Sequence, residues 1–265
     1  MNQIICIGDR IAGKTHLCLE ILNPDGHYIK VVEPDYKFMK SFILDDRGIT
    51  IAGTRNGGKC GFSETYMEFK AYLTAGLQTI DLDIIDTLGE IWRKSWQDVH
   101  DEMWQETLNK IQTADAVLVI LEPYREIINP EKDNLDHFIT RQQWIKRFEK
   151  WVDFLLKECS QVSHLLICLN KVDLCLINLR EEAKKLAYAP HYQPLNWQEK
   201  DNYVYHRYFT PVQSQIQRLN QHRENAARFF VTSIYQRDLL ELPLIYISSY
   251  VLAASIAFPD ELPLS

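Results

Sequence analysis

Two hydrophobic periods alternate along the chain. Gln3–Ile7, Ala116–Leu121 and Leu165–Leu169 are nearly unbroken apolar runs, the pattern of strands buried on both faces of a parallel sheet, and Phe229–Val231 is a shorter run of the same kind. Between them the period lengthens. Lys14–Leu22 carries Leu17, Leu19, Ile21 and Leu22 ahead of Asn23-Pro24-Asp25-Gly26, which predicts a helix with a stop. Ile91–Ile111 (Trp92, Trp96, Val99, Met103, Leu108, Ile111) predicts a second helix. Trp144, Phe148, Trp151, Val152, Leu155 and Leu156 mark a long third one ending near Glu158. Tyr66–Leu73 and Ile80–Asp86 alternate instead; separated by Thr74–Thr79 with Gly76, they predict a hairpin. Leu244–Phe258 predicts a final helix against the sheet, shorter than the ~20 residues that span a bilayer.

Strands alternating with helices imply a three-layer α/β fold: a mostly parallel sheet with helices on both faces, and a hairpin that makes one edge strand antiparallel. Pro24–Ser63 and Leu176–Arg228 exceed the ~12–15 residues of an ordinary structureless loop, so helices are expected near Tyr36–Leu44 and Pro211–Asn225. No linker or repeat divides the chain. The expectation is a single domain over 1–265 with insert-like extensions at about 24–63 and 176–228.

Composition narrows the function. With 46% apolar and 25% charged residues the chain reads as globular, neither disordered nor fibrous. A net charge of −7 argues against holding nucleic acid by phosphate neutralisation and against an anionic membrane surface. The start MNQIICIG has no basic segment before its apolar run, so no signal peptide is expected. Six cysteines without C-x-x-C spacing read as reduced thiols of a cytoplasmic protein, with no structural zinc.

The first chemical motif is Gly8-Asp9-Arg10-Ile11-Ala12-Gly13-Lys14-Thr15, which fits G-x-x-x-x-G-K-S/T between a strand and a helix, with His16 continuing into that helix. Glycines let the backbone N–H groups converge on phosphate oxygens, and the helix N-terminus adds positive potential. Lys14 can reach the β- and γ-phosphates, and the Thr15 hydroxyl can ligate Mg2+. The second motif, Asp86-Thr87-Leu88-Gly89-Glu90, ends a strand. Asp86 can hold Mg2+ through water, and Gly89 can offer its N–H to the γ-phosphate. The third, Asn170-Lys171-Val172-Asp173, also ends a strand, where open α/β sheets bind ligands. Asp173 can accept from guanine N1–H and the exocyclic amine, donors that adenine lacks. Asn170 can brace the loop and contact N7, and the Lys171 stem can cover the base.

In this order the three motifs resemble the P-loop GTPases of the translation-factor and Ras-like class. The resemblance spans the chain apart from the two long extensions. It implies GTP/GDP as ligand, Mg2+ as cofactor, and backbone contacts to the guanine oxygen from a fifth segment, for which Thr232-Ser233-Ile234 stands in place. The TSI form followed by Tyr235 resembles Rag-type GTPases. The DTLGE form is similar to bacterial GTPases of conflict and signalling systems. The family's Mg2+-binding switch threonine corresponds to Thr65, just ahead of Tyr66–Leu73, or to Thr54 in the Gly53–Gly61 stretch. Glu90 stands where many members place a water-orienting Gln; a carboxylate accepts from water but cannot donate to the γ-phosphate.

These departures imply a GTP-hydrolysing switch with slow turnover, a raised Glu90 pKa, or completion by a partner. A hydrolysis-deficient interaction subunit is the alternative. Arg10, where small GTPases often carry Gly, can act in cis on phosphate charge, obstruct an arginine supplied in trans, or face solvent. Arg55 and Arg93 are further donors. Trp92, Trp96 and Trp104 follow the second motif; Trp92, Trp96 and Val99 share a helical face, which reads as core packing or as a protein-partner surface.

Overall fold

The computed structural model describes residues 2–43, 62–73, 76–87, 92, 94–191, 195–223 and 225–257. Strand β1 (Asn2–Gly8) leads into helix α1 (Lys14–Ile21), strand β2 (Ile29–Glu33) and helix α2 (Tyr36–Ile43). Strands β3 (Phe62–Leu73) and β4 (Gly76–Thr87) form the hairpin. Helices α3 (Lys94–Val99) and α4 (Asp101–Thr113) precede β5 (Ala116–Leu121), and α5 (Arg141–Glu158) precedes β6 (His164–Leu169). Helices α6 (Leu179–Leu186), α7 (Trp197–Val204) and α8 (Gln213–Gln221) fill the long second extension before β7 (Arg228–Val231), α9 (Arg237–Leu240) and α10 (Leu242–Ala257).

The sheet is seven-stranded, in the order β2-β3-β4-β1-β5-β6-β7. From β4 to β7 all neighbours are parallel; β3 alone runs against both of its neighbours. The antiparallel strand is therefore not at the edge, as the sequence pattern suggested, because β2 pairs outside it. The IKVVE sequence of β2 gave little signal: it is short, and Ile29 is its one buried residue.

Two further boundaries move. The hairpin connection is tighter than Thr74–Thr79, with Gly76 at φ 108 opening β4. The helix expected over Ile91–Ile111 is two helices that break at His100, whose φ of −121° and ψ of 46° are not helical. Asp101 and Glu102 then begin α4 with the acidic residues its N-terminal dipole favours.

Connections from β1 and from β5 leave in opposite directions along the sheet. With right-handed crossovers, α1 and α5 then cover opposite faces, and a crevice opens beyond the carboxyl ends of β1 and β5. Strands β1, β5 and β6 supply its floor: Ile4–Ile7, Val117–Ile120 and Leu166–Leu169 are almost wholly buried. One clasp fixes the far end of α1. The Glu241 carboxylate, 1% exposed, accepts from the N–H groups of His27, Tyr28 and Ile29 and from Arg237 Nε. Arg237 in turn donates to the Glu20 and Ile21 carbonyls at the end of α1. The second extension is anchored at β7, where Asp201 accepts from Phe229 N–H at 2.7 Å. Helix α10 packs on β3 and α9, and among the described residues no helix is long and apolar enough to cross a membrane.

Candidate functional site

The first loop is shaped by backbone constraints. At Gly8, φ is +150° and a Cβ would stand 2.2 Å from the Ile120 carbonyl oxygen, so only glycine lets β1 turn this close to β5. The chain folds back through a bond from Ala12 N–H to the Asp9 carbonyl (3.3 Å), and Gly13 at φ +86° opens α1. Ile11 holds φ 72° at 72% exposure, a left-handed conformation that a β-branched residue adopts only under constraint.

Lys14 is 6% exposed and folded into the loop rather than standing at its mouth. Its ammonium donates to the carbonyls of Gly8 (2.9 Å) and Asp9 (3.0 Å), so the loop wraps a fixed positive charge. Thr15 and His16 follow, partly buried, in the first turn of α1, and Arg10 is exposed.

The loop after β6 is bolted to this one. Asn170, 2% exposed, donates through Nδ2 to the Ala12 carbonyl (3.0 Å) and accepts from Thr232 Oγ1 (3.1 Å). Backbone bonds run from Thr232 N–H to Leu169 O (2.9 Å) and from Val172 N–H to Thr232 O (3.3 Å). Lys171 sits in the left-handed region at φ 59°. The Asp173 carboxylate accepts from Ser233 Oγ at 2.6 Å, and that hydroxyl oxygen accepts from Tyr235 N–H at 3.1 Å. Three segments distant in sequence, 8–15, 170–173 and 232–234, thus meet at one end of the sheet with Asn170 between them. Asn170→Ala removes a buried donor and a buried acceptor together. It is expected to lower stability by about 1–3 kcal/mol in urea unfolding, since the Ala12 carbonyl and the Thr232 hydroxyl lose their partners.

Asp86 reaches the same end, because β4 lies parallel to β1 with Asp86 opposite Cys6. Next to it, the buried Thr87 hydroxyl donates to the Cys6 carbonyl at 3.0 Å. The Asp86 side chain, Gly89, Glu90, Arg93, Thr54 and Arg55 lie outside the described residues. Thr65 is not ahead of a strand: β3 begins at Phe62, and Thr65 lies within it, opposite Ile84. For Mg2+, the Thr15 hydroxyl and the Asp86 carboxylate are the hard oxygen donors that this ion takes.

The tryptophans divide. Trp92 packs edge-on against Trp104, Trp151 and Phe154, with centroids 5.8, 4.7 and 5.1 Å away, so its ring is committed to internal packing. Val99 faces solvent at 74% exposure, and the Trp96 side chain lies outside the described residues. The described cysteines are all free, and burial pushes the Cys159 and Cys175 thiols up to about 12.

Three residues here had no motif to announce them. Lys132 Nζ donates to the Asp173 and Cys175 carbonyls and braces the third motif from outside. Glu122 directly follows β5, and Arg147 projects from α5. For Glu122 a signal existed: it is a carboxylate at the carboxyl end of a buried strand, the position that drew attention to Asp86.

No family model and no curated protein matches the sequence. Among solved structures the chain is similar to a bacterial selenocysteine-specific elongation factor, at TM-score 0.43 and 14% identity over 96% of this chain. It spans 29% of that protein's length. It is also similar to a nucleolar GTP-binding protein 1 from Plasmodium falciparum, at TM-score 0.41 and 13% identity over 98% of this chain and 92% of the other. Neither likeness is close enough to identify the chain.

Proposed function

We propose that this chain is a guanine-nucleotide switch that binds GTP and Mg2+ and hydrolyses GTP slowly to GDP and phosphate. The supporting observation is the placement of Asn170, which ties the phosphate-type loop to the loop carrying Asp173.

In this reading Lys14 and the backbone N–H groups of residues 8–15 hold the β- and γ-phosphates, and Gly89 adds its N–H to the γ-phosphate. Thr15 and Asp86 hold Mg2+, with the switch threonine at Thr54, since Thr65 lies within β3; when bound, the ion neutralises charge on the phosphate oxygens. Asp173 accepts the guanine donors, Lys171 covers the base, and the backbone of Thr232–Ile234 faces the guanine oxygen. Glu90 accepts a hydrogen bond from the attacking water. Positioning and charge stabilisation then carry catalysis. A protein partner acts at the switch segments and the helix that follows them, nucleic acid is not a partner, and the site of action is the cytoplasm.

Because Glu90 cannot donate to the γ-phosphate, the isolated protein is expected to turn over GTP at ~10⁻⁴–10⁻² s⁻¹ in a single-turnover assay. Glu90→Ala should slow it further. Arg10→Gly should also slow it if Arg10 acts on phosphate charge, and change nothing if Arg10 only faces solvent. Unassisted turnover above about 1 s⁻¹ contradicts the slow switch. No turnover even with cell extract supports the hydrolysis-deficient interaction subunit instead.

A further inference from the structure

Four charges of alternating sign run along the crevice between β1 and β5. Asp9 Oδ2 lies 3.4 Å from Arg147 Nη1, which lies 3.9 Å from Glu122 Oε1, while Glu122 Oε2 lies 3.6 Å from Lys171 Nζ. They come from four elements: the loop after β1, helix α5, the end of β5 and the loop after β6. Glu122 is the most enclosed of the four, with its side chain 11% exposed against 26% for Asp9, 27% for Lys171 and 39% for Arg147.

Surface ion pairs of this length contribute little by themselves. Glu122 differs because it is enclosed. Burial pushes its carboxyl up, Lys171 and Arg147 pull it back down, and Asp9 adds to the rise. Removing either cation leaves a nearly buried carboxylate short of compensation, which is costly. The two ends of the chain also belong to the two loops that meet at Asn170. Lys171 Cε passes 3.6 Å from the position of a Gly13 Cβ, so its stem lies across one end of the phosphate-type loop while its ammonium is held by Glu122. Arg147 holds the other end of that loop at Asp9. Between these anchors the loop carries Ile11 in its left-handed conformation, which persists only where the surroundings over-determine it.

We propose that Glu122 and Arg147 are positioning residues that preset the phosphate-type loop and the Lys171 stem for nucleotide, Glu122 by holding both cations at once. Neither belongs to the three motifs; they act through Asp9 and Lys171, the residues they pair with. This rests on the guanine-nucleotide reading above.

The test is equilibrium titration of the full chain with fluorescent GTP and GDP. Wild type is compared with Glu122→Gln, Arg147→Met, Arg147→Lys and the double variant Glu122→Gln with Arg147→Met, each checked for folding by circular dichroism. Glu122→Gln and Arg147→Met are expected to weaken both nucleotides by about three- to thirtyfold, the range of coupling between neighbouring groups. Arg147→Lys should stay within about threefold of wild type, and the double variant should lose no more than the worse of its two single variants, because the neutral amide of Glu122→Gln no longer needs the cation that Arg147→Met removes. Losses that do not add are what a separate packing role for Arg147 would not give. If Arg147→Met does not fold, the isosteric Glu122→Gln carries the comparison. Wild-type affinity in both Glu122→Gln and Arg147→Met overturns the proposal, as do losses that simply add in the double variant. A wild-type protein that binds no GTP overturns the functional reading along with it, whereas wild-type binding with unaffected variants overturns this proposal alone.

Discussion

Asp173→Asn is expected, on the proposed guanine-nucleotide reading, to shift preference from GTP toward xanthosine triphosphate. The carboxylate is already fixed by Ser233 Oγ at 2.6 Å, and an Asn Oδ1 can accept that same bond, so the loop keeps its shape. What changes is the face offered to the base. An amide donates where guanine also donates, and it meets an acceptor where xanthine carries a carbonyl. Two charge-assisted hydrogen bonds are lost to GTP, each worth about 1.5–3 kcal/mol, so GTP affinity should fall by roughly 10²–10⁴-fold. Competition of GTP and xanthosine triphosphate for the variant measures this. Unchanged GTP affinity in Asp173→Asn would mean that the base lies elsewhere.

A loss of comparable size is expected for Lys14→Met. Methionine matches the length of the lysine stem but brings no charge to the bonds with the Gly8 and Asp9 carbonyls. On the proposed reading triphosphate affinity should drop by more than about 10²-fold, because the positive charge that the loop wraps is gone. The fold should persist with a loss of about 1–3 kcal/mol, the cost of leaving buried carbonyls without donors. Isothermal titration with GTP, alongside urea unfolding, separates the two effects. A Lys14→Met protein that folds and binds GTP like wild type would remove the phosphate-type loop from the account.

The parts of the fold that were legible in the sequence are those whose signal is local. Strands β1, β5 and β6 are buried on both faces and therefore read as unbroken apolar runs. Helix α5 repeats Trp144, Phe148, Trp151, Val152 and Leu155 over about three turns. Helix α2 falls where the length of the first extension demanded structure. Strand β2 was hidden because an edge strand buries little, and it pairs only with β3. The start of β3 was hidden because Ser63, Glu64 and Thr65 are polar and interrupt the alternation that marks Tyr66–Leu73. That misplaced boundary is why Thr65 was expected in a loop. The break at His100 was invisible because no glycine or proline marks it and the apolar spacing continues across it.

The same division holds at the site. Gly8–Thr15 and Asn170–Asp173 are contiguous stretches whose residues act through neighbouring backbone, so spacing alone exposed them. Arg147, Glu122 and Lys132 act across elements. Nothing near Arg147 in sequence says that α5 will carry it to Asp9, because that depends on how α5 packs beside β1 and β5. The depth of Lys14 was equally a tertiary matter: the loop closes on its ammonium because two carbonyls turn inward.

The central claim is that this end of the sheet reads guanine as well as phosphate. Its most direct test is displacement of fluorescent GTP from the wild-type protein, in the presence of Mg2+, by unlabelled GDP and by ATP. With Asp173 and Asn170 placed as they are, GDP should displace the probe at concentrations comparable to GTP, and ATP should fail to do so at a hundredfold excess. Displacement by ATP as readily as by GTP would contradict the claim.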